Sequence, residues 1–205
     1  MADEKGSDAG AVYILRHGET QWSASGQHTG VTDIPLTANG EQQARRAGLV
    51  MSALRGSDVP PYRVLTSPRQ RAVRTAELAG FTVDEKLEEL AEWDYGDYEG
   101  LTTAKIRETV PGWTVWTHPS PNGEEAKQVS DRADAVLARV RELLPCGDVI
   151  LVGHGHFSRV LIARWLDLPA AHGVHFGLDP AGTAVLDHER GEPRIARLNV
   201  PPLDV

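Results

Sequence analysis

Three short apolar runs constrain this chain most: "AVYIL" at 11–15, "YRVLTS" at 62–67 and "DVILVGH" at 148–154. Each is rich in β-branched residues and too short for a buried helix, so each reads as a buried strand. The segments between them carry helical spacing. "ANGEQQARRAGLVMSALR" puts Ala44, Ala47, Val50, Met51 and Leu54 on one face. "EEAKQVSDRADAVLARVRELL" does the same with Ala126, Val129, Ala133, Val136, Val140 and Leu144. "SPRQRAVRTAELAG" reads as a helix with Ser67 as N-cap, Pro68 in the first turn and Gly80 at its end. "FSRVLIARWLDL" is a further helix, "FTVDEKLEEL" holds a short strand, and "TAVLDHE" and "RIARLNV" make a closing pair. Such alternation builds an α/β domain, here a three-layer α/β/α fold with a mostly parallel sheet.

Ligands of such sheets sit beyond the carboxyl ends of the strands. The first run ends in Arg16-His17-Gly18 and the late one in His154-Gly155, while Arg71 lies one turn into the helix after the second. Two arginines and two histidines at one sheet edge make a compact cationic pocket. Guanidinium groups match phosphate oxygens in a bidentate fork, and helix N-termini add backbone N–H donors.

The 205 residues suffice for one good-sized core. Residues 1–10 are polar, lack the apolar core of a signal peptide, and read as a disordered tail. Residues 11–205 then form a single domain. The stretch at about 93–123 is irregular apart from a short helix near Thr103–Thr109, and reads as a lid insertion. A net charge of -8 argues against nucleic acid as a partner. No window has the apolar length of a membrane span, and a cytoplasmic enzyme is expected. Cys146 is the only cysteine, so neither an internal disulfide nor a thiolate zinc cage can form. "HGH" at 154–156 lacks a third ligand for a metal.

Four segments, in order, carry a family resemblance: "LRHGET", "TSPRQRAVRTAE", "LAEWDYGDYEG" and "LVGHGHFSR". They resemble the histidine phosphatase superfamily, in its phosphoglycerate mutase-like branch. "WSASGQHTGVTDIPLTANG", "EWDYGDYEGLTT" and "GHGHFSR" are similar to the actinobacterial broad-specificity acid phosphatases and to the fungal sedoheptulose-1,7-bisphosphatases. The resemblance implies a phosphohistidine formed on His17, with Gly18 supplying the acceptor that orients its ring. It implies that Arg16, Arg71 and His154 hold the phosphoryl oxygens. Glu92 would protonate the leaving group and later activate water, with Trp93 beside it expected to keep the carboxyl protonated. Gly155, Ser23 and Thr29 fall at phosphate-binding positions, and His28 and His156 near the pocket. Ser23 and Thr29 read equally as turn residues, and the two histidines equally as buried, satisfied groups. The implied partner is a small-molecule phosphate ester, with no metal and no cofactor. Several relatives form homodimers, although no interface stripe stands out here.

Mutases of this branch use an adjacent arginine pair in the insertion to bind a carboxylate. Here "LTTAKIRETVPGWTVWTHPSPNG" offers only Lys105 and Arg107, which favours hydrolysis. The alternatives are a cofactor-dependent phosphoglycerate mutase and a non-catalytic phosphate-ester-binding module. The joint presence of His17, Arg71, Glu92 and His154 speaks against the second. A bisphosphate substrate would need a further basic patch, for which Arg69, Arg74, Lys105, Arg107 and Arg159 are the candidates. Trp165 reads as core, and Trp113 and Trp116 as packing of the lid.

Overall fold

The computed structural model describes residues 10–56 and 59–202; the expected tail lies outside them except for Gly10. In chain order the elements are β1 (Val12–Arg16), α1 (Gln21–Ser25), α2 (Ala38–Arg55), β2 (Arg63–Thr66), α3 (Gln70–Leu78) and β3 (Glu85–Lys86). Then follow α4 (Thr103–Arg107), α5 (Ala126–Leu143), β4 (Val149–Gly153), α6 (Gly155–Trp165), β5 (Thr183–Glu189) and β6 (Glu192–Val200). The strands form one sheet in the order β3-β2-β4-β1-β5-β6. Contacts among β1, β2, β3 and β4 are parallel, while β5 runs antiparallel to β1 and to β6. Arg190 and Gly191, both at positive φ, turn β5 into β6, as a tight hairpin requires.

All five residues of β4 are buried, as expected of a parallel strand covered on both faces. On one side Ile14, Leu151, Val136, Phe157, Leu161 and Trp165 pack the sheet against α5 and α6. On the other, Leu15, Val152, Ala47, Met51, Ala72 and Ala76 pack it against α2 and α3. Burial of each large apolar side chain contributes roughly 1.5–3 kcal/mol, so truncating one on the central strands would loosen both layers. The apolar face of α5 is Val129, Ala133, Val136, Leu137 and Val140; Ala126, expected on it, is exposed because it begins the helix. Among the described residues no helix is long and apolar enough to cross a membrane.

The register matters for function. Arg16 stands directly opposite Gly153, so β1 and β4 end level and present His17 and His154 side by side. The start of α3 departs from expectation: the helix begins at Gln70, and Arg69, not Ser67, is its N-cap residue. Ser67 is drawn away because its hydroxyl bonds His154. Gly80, at φ +87°, follows the helix end as expected. In the insertion, a 3-10 turn (Gly96–Tyr98) and α4 are pinned by Trp113, which is fully buried with its ring edge-on to Tyr98.

Candidate active site

His17 lies just past β1, buried but facing a cavity. Its Nδ1 is 2.7 Å from the carbonyl oxygen of Gly18. A carbonyl only accepts, so Nδ1 carries the hydrogen and Nε2 keeps its lone pair. Burial, then the charges of Arg71 and Arg16, lower the ring's pKa well below 6.5 against the opposing pull of the Gly18 bond. The imidazole is therefore neutral at ordinary pH. The turn is itself fixed: the Gly18 N–H donates to Thr75 Oγ1 at 3.1 Å, and the Glu19 N–H, which shares a peptide group with the Gly18 carbonyl, donates to Gln43 Oε1 at 2.8 Å. A side chain at Gly18 would bring Cβ within 2.3 Å of the Gly40 oxygen, so this turn needs glycine for the backbone of α2 to approach.

Arg16 lies beside it. One terminal nitrogen donates to the Leu178 oxygen at 2.7 Å, and the buried Nε has no partner among the described residues. An orphaned buried donor of this kind marks a place for an acceptor. Gly155 makes the approach possible, since a Cβ there would stand 3.2 Å from the guanidinium carbon.

His154 packs edge-on to His17 with ring centroids 5.2 Å apart. Its Nδ1 accepts from Arg71 Nε at 3.3 Å, which leaves Nε2–H to donate to Ser67 Oγ at 2.7 Å. Burial and then Arg71 lower its pKa well below the usual value. The other donors of Arg71 reach the carbonyl oxygens of Thr32, Thr29 and Gly30 at 2.8, 3.1 and 3.0 Å. Arg71 and His154 are thus fully buried and back the cavity wall rather than form its lining.

Glu92 lines the same cavity as His17 and caps α6. Its Oε1 accepts from the N–H groups of Trp93 and Phe157, both at 2.8 Å, and its Oε2 accepts only from that of His156, at 3.0 Å. A carboxylate at a helix N-terminus is favoured by the helix dipole. Oε2, with the lighter load, is the oxygen free to carry a proton. Trp93 donates its backbone N–H to Glu92; its indole N–H goes to the Glu124 oxygen and its ring packs on Trp116. Three amide donors thus surround the Glu92 carboxyl. Arg132 holds the segment from behind, donating to the Glu89, Ala91 and Glu92 oxygens while pairing with Glu124.

The cavity holds about 240 Å³ and is lined by Arg16, His17, Ser23, Gly26, Gln27, His28, Thr29, Glu92, Tyr95, Gly155, His156 and Arg159. Burial, followed by Glu92, raises the Tyr95 pKa well above 10, and its hydroxyl shares a 2.6 Å hydrogen bond with His156 Nδ1. The His156 pKa is lowered well below 6.5 by burial and then Arg159, and burial brings His28 to about 4. Both histidines are neutral donors or acceptors on the wall, not cations. Ser23 closes the capping box of α1 with Thr20, and the Thr29 hydroxyl bonds the Gln27 oxygen at 3.3 Å.

Of the sequence-expected residues, Arg16, His17, Ser23, His28, Thr29, Glu92, Gly155 and His156 line the cavity, while Gly18, Arg71 and His154 support it. Among the basic candidates only Arg159 lines it; Arg74, Lys105 and Arg69 pair with acidic side chains, and Arg107 bonds the Trp113 oxygen. Ser67, Thr75, Tyr95 and Glu99 lie within the family-like segments and Arg132 outside them, but the sequence gives none of the five a site role, because each acts on a distant segment. A larger groove of about 470 Å³ runs beside α3, past Pro35, Val73 and Lys86. Arg74 pairs there with both Glu41 and Glu77, and the lining of this groove, unlike that of the smaller cavity, carries no histidine. Among the described residues no group of three or more His, Cys, Asp or Glu is placed to hold a metal ion.

Comparison with known proteins gives the chain its family. The chain is 49% identical over 189 residues to an acid phosphatase of Mycobacterium tuberculosis, covering 92% of each. It is 35% identical to sedoheptulose 1,7-bisphosphatase of Saccharomyces cerevisiae, over 76% of this chain and 67% of that one. A solved structure of an M. tuberculosis open-reading-frame product superposes with a TM-score of 0.90 at 47% identity, over 95% of this chain and 99% of that one. A mycobacterial glucosyl-3-phosphoglycerate phosphatase solved with VO3 gives 0.79 at 28% identity, over 93% and 99%. Residues 12–201 match the histidine phosphatase superfamily (branch 1), and it is to this family that the chain belongs.

Proposed function

We propose that this protein hydrolyses small phosphate monoesters, sugar phosphates or related metabolites, through a phosphohistidine on His17. The observation that carries the reading is the Nδ1–H bond to the Gly18 oxygen, which leaves an unprotonated Nε2 on the cavity beside Arg16 and Glu92. Nε2 attacks phosphorus, the N–P bond forms, and the bond to the ester oxygen breaks in line. Glu92 gives its proton to the departing alkoxide. Water then attacks phosphorus, Glu92 takes back a proton, the N–P bond breaks and inorganic phosphate leaves. The orphaned Nε of Arg16 supplies a donor for a phosphoryl oxygen, and the buried charge of Arg71 acts at short range in a low dielectric. Side-chain charge can meet the whole phosphoryl group, so the reading needs no metal.

The names borne by relatives, acid phosphatase and sedoheptulose bisphosphatase among them, support a phosphatase. Other relatives, 35% identical, are named probable phosphoglycerate mutases. The side chains of Lys105 and Arg107 are engaged by Glu108 and the Trp113 oxygen and stand outside the cavity lining, which favours hydrolysis over mutase action. A cavity of about 240 Å³ suits a metabolite rather than a drug-sized ligand.

The test is phosphate release, with EDTA present, from an aryl phosphate, 3-phosphoglycerate, sugar monophosphates and sugar bisphosphates. Release from wild type and none from His17→Ala is expected. Equal release from both rejects the phosphohistidine route; interconversion of phosphoglycerates without release turns the assignment to a mutase.

A further inference from the structure

Granting the phosphate pocket proposed above, we infer that Glu99 is a positioning residue: it fixes Arg71 through the Thr29–Gly30 peptide, which is clamped between the Glu99 carboxylate and the Arg71 guanidinium. The Gly30 N–H donates to both carboxylate oxygens of Glu99 at 2.9 Å, and the Thr32 N–H donates to Oε1 at 3.1 Å. On the opposite side of the same loop, the Thr29, Gly30 and Thr32 oxygens accept from Arg71. Thr29 C=O and Gly30 N–H belong to one peptide group, so a single amide plane has an anion at its hydrogen and a cation at its oxygen. Each charge polarises the amide in the sense that strengthens the other bond.

Two further facts favour a purpose for this clamp beyond closing a turn. Among the described residues Glu99 makes no ion pair; its accepted bonds come only from these backbone donors. A Cβ on Gly30 would lie 2.5 Å from the Trp93 oxygen and 3.0 Å from Glu99 Oε2, so the loop is built for the close approach that only glycine allows. The clamp also joins the acid segment to the cationic wall. Glu99 ends the 3-10 turn that follows Glu92 and Tyr95, and the loop it grips carries Thr29 on the cavity. Burial lowers the Arg71 pKa, against the opposing pull of Glu92, Asp33 and, least of these, Glu99.

The experiment uses the full chain. Inorganic phosphate binding is measured by calorimetry, kcat and KM on an aryl phosphate by steady-state kinetics, and Tm by scanning calorimetry. Glu99→Gln is expected to weaken phosphate binding and lower kcat/KM roughly tenfold or more, as losing a partner behind a binding residue does. In an Arg71→Ala background the same change should cost less than about twofold, because residues that act as one unit are not additive. A lowered Tm with phosphate affinity and kcat/KM intact overturns the inference, as does a full further tenfold loss in the Arg71→Ala background. If Glu99→Gln does not fold, Glu99→Asp, which keeps the charge one methylene short, goes through the same measurements, and either of those two results overturns the inference in the same way. Wild type that neither binds phosphate nor turns over rejects the phosphatase reading and this inference together. Wild type that does both, with Glu99→Gln equal to it, rejects this inference alone.

Discussion

The Nδ1 atom of His17 is held 2.7 Å from the carbonyl oxygen of its own neighbour, Gly18. The ring is thus oriented by main chain that no side-chain substitution can remove. The phosphohistidine proposed above would therefore form on Nε2. Acid-stable trapping is not required: rapid alkaline quench during turnover of an aryl phosphate, followed by phosphorus NMR or isomer-specific detection, should find the Nε2-phosphohistidine. Finding the Nδ1 isomer would refute the orientation argued from Gly18.

Glu92→Gln should slow alkyl phosphates by about a hundredfold or more, the usual worth of a positioned proton donor. Aryl phosphates, whose leaving group needs little protonation, should lose much less. The amide also puts an NH2 where Oε1 or Oε2 now accepts an N–H, which should lower stability by about 1–3 kcal/mol. Equal kinetic losses on both substrate types would remove Glu92 from the role of acid.

Gly40→Ala tests the packing of α2 on the catalytic turn. The new Cβ would fall 2.1 Å from the Glu19 oxygen, a backbone atom that cannot swing aside. Overpacking of this kind costs about 1–3 kcal/mol. Because Gly40 faces Gly18, kcat should drop along with the urea midpoint. A variant as stable and as active as wild type would show that the turn yields freely.

Acid should destabilise the fold through its histidines. Unfolded, each ring takes up a proton near pH 6.5; folded, His17, His154 and His156 resist until well below that, and His28 until about pH 4. Between the two values the unfolded chain binds more protons, so stability rises with pH and falls as pH drops from about 6.5. His28→Leu should make the pH dependence of the urea midpoint shallower between pH 6.5 and 4. An unchanged slope would show that His28 does not stay neutral in the folded state.

Much of this is legible in the sequence, for reasons that can be named. Buried parallel strands announce themselves as unbroken apolar runs, and the residues at their ends, Arg16-His17 and His154, fall where such a sheet binds ligands. Ser67 departs from its helix-cap pattern because that pattern is local, whereas its hydroxyl is recruited by a histidine that follows β4, far along the chain. Arg71 is legible as a cation of the pocket, yet most of its donors serve the loop carbonyls in front of it. The roles of Tyr95, Glu99 and Arg132 cannot be read from their segments because they work on backbone or rings brought close only by folding. The segment 93–123 has no periodicity to read; its order comes from tertiary anchors such as buried Trp113.

The central place of β1 and β4 in the sheet has a consequence for how the protein fails. Amides on inner strands, paired on both sides and covered on both faces, exchange with solvent only when the whole domain opens. His17 hangs from the end of such a strand, whereas Glu92 and the clamp loop lie on connecting segments outside the sheet. Sub-denaturing urea should therefore separate the two halves of the reaction. The proposed proton donor and substrate grip would be lost while the strand that carries the proposed nucleophile still shows full exchange protection.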